Sequence, residues 1–341
     1  MSDVLLAPER IATAQGTAQA LLDGLNQRLL GQQELVKMVV VACLSRGHVL
    51  LEGLPGLGKT ELVKGMAGLL GLQFRRVQFT PDLLPGDVTG GPVLEEQDGR
   101  RTFVFKPGPI FGNIVLADEI NRASPRTQAA MLEAMQERRV TVLGETHDLP
   151  KPFWVLATQN PIELEGTFPL PEAQLDRFLF KLDVYKVGAD TLTTILTKRK
   201  RGAAPEATPV VTEAQLHELF DTVDQVFLPH SVASYISRLV IATHPDSPEA
   251  PPRVQKSVRY GGSPRAAIAI AEAARAHALI AGKPNAGFDD VRAVAAFALG
   301  HRIVLDYRGK LDGLDGPTLA RDVLDHVSEL SEDMPREVRR G

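Results

Sequence analysis

Apolar and polar positions change period several times along this chain. Leu21, Leu22 and Leu25 share a helical face within Ala12 to Leu29, which predicts one helix or two before Leu30-Gly31-Gln32 interrupts the pattern. A second helix is expected over Glu34 to Leu44. Arg46-Gly47 then leads into His48 to Glu52, a short apolar run that reads as a buried strand. Helical spacing returns over Glu61 to Leu70 through Leu62, Met66, Leu69 and Leu70, and Gly71 stops it. Gln73 to Phe79, Asn113 to Ala117, Phe153 to Thr158 and Phe178 to Val184 are further strand candidates. Asn113 to Ala117 is a continuous apolar run, and such strands suit a parallel sheet covered on both faces. Ser124-Pro125 opens a helix to about Arg138, with Ser as N-cap and Pro at the first helical position. Ala130, Leu132 and Met135 are expected to face inward.

Between these elements, 92–105 reads as a hairpin turning at Asp98-Gly99, and Val140 to Leu149 as a second turning near Gly144. Thr80 to Gly91 is dense in turn formers and reads as loop. From about Tyr185 the texture changes. Lys198 to Arg201 and Gly202 to Pro205 read as a helix end and linker, the basic run as a solvated cluster. Beyond Pro209 the chain reads as all helix: Thr212 to Val226, Pro229 to Thr243, Pro264 to Ala281, Phe288 to Leu305 and Thr318 to Leu330. Thr212-Glu-Ala-Gln215 has the form of a capping box, and Asp289 and Asp290 suit the positive end of their helix. The tail from Pro335 reads as loose. Together these predict an α/β class protein. A doubly wound, five-stranded parallel sheet with hairpin insertions occupies 1–185, a helix end and linker 186–210, and a small all-α lid domain 211–341.

Composition narrows the function. With 341 residues the chain has room for two domains, and its net charge of −4 gives no general basis for a nucleic-acid or membrane surface. Cys43 is the single cysteine, so no internal disulfide forms; it follows an apolar stretch and reads as core filler. Met38 to Leu44, the longest apolar run, is too short to span a bilayer, and the first residues lack a basic-then-apolar signal pattern. The expectation is a cytoplasmic protein without direct membrane insertion; attachment through a partner stays open. None of the eight histidines stands at metal-ligand spacing with another His or Cys.

Gly53-Leu54-Pro55-Gly56-Leu57-Gly58-Lys59-Thr60 carries the first chemistry. It matches the P-loop pattern G-x-x-x-x-G-K-[ST], lies between a predicted strand and a predicted helix, and continues into Glu61. Such a turn points successive N–H groups inward with the positive helix end behind them, so a triphosphate such as ATP is its natural occupant. Lys59 would reach the β/γ-phosphates, and the Thr60 hydroxyl would hold Mg²⁺. Asp118-Glu119 ends an apolar strand and reads as a Walker B element. Asp118 would hold Mg²⁺, mostly through its water shell, and Glu119 would polarise the attacking water. The P-loop, Asp118-Glu119 and Asn160 all follow strand ends, where ligands of such sheets bind.

The P-loop, Leu116-Ala-Asp-Glu-Ile-Asn-Arg-Ala123, Ala157-Thr-Gln-Asn-Pro161, Leu170 to Phe178 and Gly262-Ser-Pro-Arg-Ala266 together resemble the MoxR family of AAA+ ATPases. Gln78 to Pro85 and Phe105 to Phe111 extend the resemblance, which spans about 25–305. It implies roles that the bare residues suggest only weakly. Asn160 would be the sensor-1 residue, orienting the attacking water. Arg177 would be an arginine finger reaching a neighbouring subunit's nucleotide; its alternative is a salt bridge to Asp176 or Glu172. Arg265 would be sensor 2, binding the nucleotide of its own subunit, and Gly31 lies in the segment that lines the adenine pocket. Arg122 serves either the shared site or a subunit contact. The two hairpins either face a central channel or clients, or decorate the sheet. The resemblance implies a homo-oligomeric ring, hexameric, that hydrolyses ATP with Mg²⁺. It would act as a chaperone-like maturation or remodelling factor on a separate client, often one with a von Willebrand factor A domain. Three rivals stand beside it: a motor of the magnesium-chelatase or carboxylase-activase type, a DNA-translocating AAA+ protein, and a nucleotide-gated binding scaffold. The net charge and the lack of a DNA-binding module weigh against specific nucleic-acid binding.

Overall fold

A computed structural model of the chain describes residues 6–97, 100–161, 166–199 and 202–330. By contacts the chain forms two compact units. One comprises Ala20–Phe178 and Leu182–Glu213; the other comprises Met1–Gln19, Leu179–Lys181 and Ala214–Gly341. The sequence expectation had placed all of 1–185 in the first domain.

The first unit holds the C-terminal part of α1 (Pro8–Arg28), then α2 (Gln33–Leu44), β1 (Val49–Glu52), α3 (Lys59–Leu69), β2 (Phe74–Gln78) and a short α4 (Pro85–Thr89). The hairpin β3 (Gly90–Gln97) and β4 (Arg100–Pro107) precedes β5 (Ile114–Asp118) and α5 (Pro125–Glu137). A second hairpin, β6 (Arg139–Val142) and β7 (Glu145–Asp148), leads to β8 (Trp154–Gln159), α6 (Glu172–Leu175), β9 (Phe180–Asp183) and α7 (Ala189–Lys198). The core sheet has five strands in the order β2-β5-β8-β1-β9, with the β2–β5, β5–β8 and β8–β1 pairs parallel. The first hairpin's Asp98-Gly99 turn lies outside the described residues.

Both sheet faces are covered, which explains the unbroken apolar runs. On one face Leu50, Val77, Val115, Ala117, Val155 and Ala157 pack with Met131, Leu132 and Met135 of α5. On the other, Trp154 donates its indole N–H to Cys43 O of α2 at 3.2 Å. Ser124 caps α5 by accepting from Thr127 N–H at 3.4 Å. Ala130 is not fully buried, contrary to expectation, because it shares a helical face with the exposed Glu133 and Glu137. His48 ties the sheet to the end of α5. Its Nδ1 accepts from Val155 N–H at 3.0 Å, so Nε2 carries the proton and donates to Met135 O at 3.1 Å. Burial pushes its pKa down to about 4.

The second unit contains α8 (Glu213–Gln225), α9 (His230–Ile241), α10 (Pro252–Ser257), β10 (Val258–Tyr260), α11 (Pro264–Ile280), α12 (Phe288–Leu299), β11 (Val304–Leu305), α13 (Tyr307–Leu311) and α14 (Gly316–His326). It is helical, with the short helices α10 and α13 and the antiparallel β10–β11 pair in addition to the five expected helices. Accordingly, the helix expected over Phe288 to Leu305 stops at Leu299. Small side chains let α11 pack closely: Ala266, Ala269, Ala273, Ala274 and Ala276 are buried. Asp290, wholly buried in α12, accepts from Gly287 N–H at 2.8 Å, lies 2.8 Å from His277 Nδ1 and pairs with Lys283 Nζ at 3.1 Å. Burial opposes its charge, but these partners outweigh burial and hold its pKa below the usual carboxylate range. No helix among the described residues is long and apolar enough to cross a membrane.

Candidate nucleotide site

The glycine-rich loop leaves the carboxyl end of β1. Gly53 N–H donates to Gln159 O of β8 at 3.3 Å, fixing the loop's first residue to the neighbouring strand. A Cβ on Gly53 would stand 2.8 Å from Val184 O, and one on Gly58 2.7 Å from Leu29 Cδ1. Gly56 and Gly58 take left-handed backbone angles, φ +82° and +88°, which L side chains adopt at a cost. The loop can therefore close only with glycine at these points. Lys59 and Thr60 are the first residues of α3, so the helix begins where the loop ends. Lys59 Nζ donates back to Gly53 O. Burial lowers the Lys59 pKa, and the charges of Asp118, Glu119 and Glu52 oppose that shift. The ammonium therefore lies within the field of both Walker B carboxylates.

Asp118 ends β5, and the chain turns at once. Glu119 adopts φ 58°, ψ 49°, and a single 3₁₀ turn, Ile120–Arg122, follows. A non-glycine residue in this region carries a local cost that surrounding contacts must offset. Thr158 of β8 supplies two of them. Its hydroxyl donates to Asp118 Oδ1 at 2.7 Å and accepts from Glu119 N–H at 2.9 Å. Buried Gln128 of α5 also donates to Ile120 O at 3.2 Å. Asp118 Oδ2 accepts from Arg76 Nη2 at 2.6 Å and Nε at 3.1 Å. Glu119 Oε2 accepts from Gln78 Nε2 at 2.8 Å and Arg122 Nη1 at 3.1 Å.

The remaining expected residues divide by location. Asn160 follows β8, is 7 % exposed, and its carbonyl is 3.5 Å from Asn121 Nδ2 beside the Walker B turn. Gly31, φ +75°, lies between α1 and α2, where a Cβ would stand 2.8 Å from Thr191 Oγ1 of α7. Two residues earlier, Leu29 abuts Gly58, so this turn borders the P-loop. The Glu61 carboxylate pairs with Arg28 at 3.3 Å. Arg177 follows α6 and makes no hydrogen bond or ion pair with Lys59, Asp118 or Glu119 among the described residues; its Nε is buried without a hydrogen-bond partner there. Arg265 is exposed at the second position of α11, in the other unit.

Sequence reasoning missed Arg76, Gln78 and Thr158 as partners of the acidic pair. A polar Thr158 directly after the apolar run Trp154–Ala157 was one available signal. The register that places Arg76 opposite Leu116 and Gln78 opposite Asp118 was not available without the fold.

A glycine-rich loop between strand β1 and helix α3, with paired carboxylates at the end of β5 and β8 between the two strands, is the arrangement of a P-loop nucleotide-binding protein. The family model for the ATPase family associated with various cellular activities (AAA) matches residues 48–180, and an AAA lid domain model matches 251–325. The chain is 42 % identical to an uncharacterised Bacillus subtilis protein, YeaC, over 90 % of this chain and 92 % of that one. It is 39 % identical to Chaperone MoxR1 of Mycobacterium tuberculosis, over 94 % of this chain and 84 % of the relative. A Cytophaga hutchinsonii protein of known crystal structure superposes with TM-score 0.85 at 34 % identity, covering 94 % of this chain and 97 % of that one. The chain belongs to the MoxR family of AAA+ ATPases.

Proposed function

We propose that this chain is an Mg²⁺-dependent ATPase that works in the cytoplasm as a ring, hexameric, and remodels or matures a separate client protein. The observation that carries the ATPase reading is the sheet order, which sets the P-loop after β1 and Asp118-Glu119 after β5 at the carboxyl ends of parallel strands, with Asn160 after β8 between them. Gly53 through Glu61 would bind the nucleotide, the loop's N–H groups and Lys59 meeting its phosphates, with Gly31 bordering the base. Thr60 and Asp118 offer the hard oxygen donors that suit Mg²⁺. The ion, when bound, would neutralise charge on the β- and γ-phosphates.

Glu119 accepts its two hydrogen bonds at Oε2, leaving Oε1 to orient a water for attack on the γ-phosphate. Asn160 would hold the same water from the neighbouring strand end. Arg265, and Arg177 from an adjacent subunit, would stabilise the charge that develops on the transferring group, a task suited to the planar guanidinium. The chaperone role follows the family and the name of the tuberculosis relative. Clients with a von Willebrand factor A domain are the partner class that the family resemblance suggests.

A shared site is tested by mixing two inactive variants. Arg177→Ala and Glu119→Gln subunits are each expected to hydrolyse ATP slowly, and their mixture to recover part of the rate. Specific activity of the unmodified protein should rise with concentration. A mixture no faster than either variant, from a chain that sizes as a monomer, would overturn the ring.

A further inference from the structure

Gly262 lies three residues before Arg265, and both polar groups of its backbone are held by two adjacent side chains. Gly262 N–H donates to Thr243 Oγ1 at 2.8 Å, and His244 Nε2 stands 3.0 Å from Gly262 O, a pure acceptor, so that nitrogen is the donor. Thr243 is wholly buried. Its hydroxyl also donates to Val240 O, one of the last carbonyls of α9. A single hydroxyl thus joins the end of α9 to the residue that leads into α11.

The neighbouring backbone is equally close. A Cβ on Gly261 would stand 2.5 Å from Thr243 Oγ1, 2.7 Å from Thr243 C and 2.8 Å from His244 N. Only glycine allows that approach, and the approach brings the two hydrogen bonds within reach. Downstream, Ser263 caps α11 by accepting from Arg265 N–H at 3.2 Å, and Ala266 N–H donates to Ser263 O at 2.8 Å. The first turn of α11 is therefore set by Gly262 and Ser263, and the Arg265 Cα is carried on that turn.

We infer that Thr243 and His244 are positioning residues for Arg265. They fix the start of α11 so that the guanidinium is presented in one place. The inference rests on the reading of Arg265 as a nucleotide-contacting residue. An arginine that stabilises developing charge depends on placement, since a misplacement of about 1 Å can cost about 10²-fold in rate. Neither residue needs to touch nucleotide for this.

The test is a double-mutant cycle on the full chain, reading kcat, KM and melting temperature with ATP as substrate. Thr243→Val keeps the shape but removes the acceptor for Gly262 N–H. It is expected to lower kcat about tenfold, and Thr243→Ser to restore it. In the Arg265→Ala background Thr243→Val should lower kcat no further, because the group it positions is gone. If the two losses multiply, Thr243 acts through general stability and the inference falls, while the reading of Arg265 survives. If Arg265→Ala turns over ATP at the unmodified rate, that reading falls and takes the inference with it. Should Thr243→Val fail to fold, the same cycle with His244→Ala decides between these outcomes, since it removes only the bond to Gly262 O.

Discussion

Arg76 and Asp118 meet across the parallel β2–β5 pair, with both guanidinium nitrogens Nη2 and Nε on the same carboxylate oxygen, Oδ2. The Asp118 side chain is 13 % exposed and that of Arg76 48 % exposed. The proposed metal-holding carboxylate therefore already carries a cationic neighbour. A positive charge at this distance opposes the approach of a second cation. Arg76→Ala is expected to lower the Mg²⁺ concentration that gives half-maximal ATP hydrolysis. An unchanged or higher Mg²⁺ requirement would mean that Arg76 orients Asp118 without competing for it.

Thr158 serves both Walker B residues with one hydroxyl, and it is fully buried. Thr158→Val would leave Glu119 N–H unpaired inside the protein, a loss of about 1–3 kcal/mol. Hydrolysis should slow as well, because the left-handed turn at Glu119 loses a contact that holds it. Thr158→Ser should behave nearly as the unmodified protein. Denaturant unfolding and turnover on the same samples measure both effects.

His48 gives the protein an acid-sensitive contribution to stability. Its pKa falls from 6.5 to about 4 in the folded state, mainly through burial. The unfolded chain therefore binds the proton more readily. The contribution is full above about pH 6.5, declines as pH falls, and is lost by about pH 4, a total of about 3 kcal/mol. His48→Gln should flatten that part of the stability profile. A profile with the same slope in the variant would assign the acid sensitivity elsewhere.

Asp290 acts in a lower pH window. Its folded pKa is depressed, so its contribution is present above the ordinary Asp value and is lost as pH falls through the folded value. Asp290→Asn should destabilise the helical unit near neutral pH and remove part of its dependence below about pH 4. Melting curves of the two proteins across that range report the difference.

Much of this site could be read from the chain because its signals are local. The P-loop is a run of adjacent residues, and its glycines are required by positive φ and close backbone approach at Gly56, Gly58 and Gly53. The central strands β1, β5 and β8 announced themselves because both faces are buried, leaving no polar alternation, whereas the edge strand β2 keeps Arg75, Arg76 and Gln78 exposed. Strand order was not legible, and with it went the partners of Asp118 and Glu119: Arg76 and Thr158 are distant in sequence and adjacent only through β2-β5-β8. The five-residue α4 begins Pro85-Gly86 and reads as loop by composition. The two-residue β11 is too short to show any period. Ala130 was misjudged because alanine sits as readily beside exposed glutamates as in a core.

The most direct measurement compares ATP binding and ATP hydrolysis in the unmodified chain and in Glu119→Gln. Both proteins should bind ATP with similar affinity. Glu119→Gln should hydrolyse it at least about 100-fold more slowly, since a positioned base contributes about 10²–10⁴ in rate. Equal turnover by the two proteins would remove Glu119 from the chemistry and contradict the proposed site.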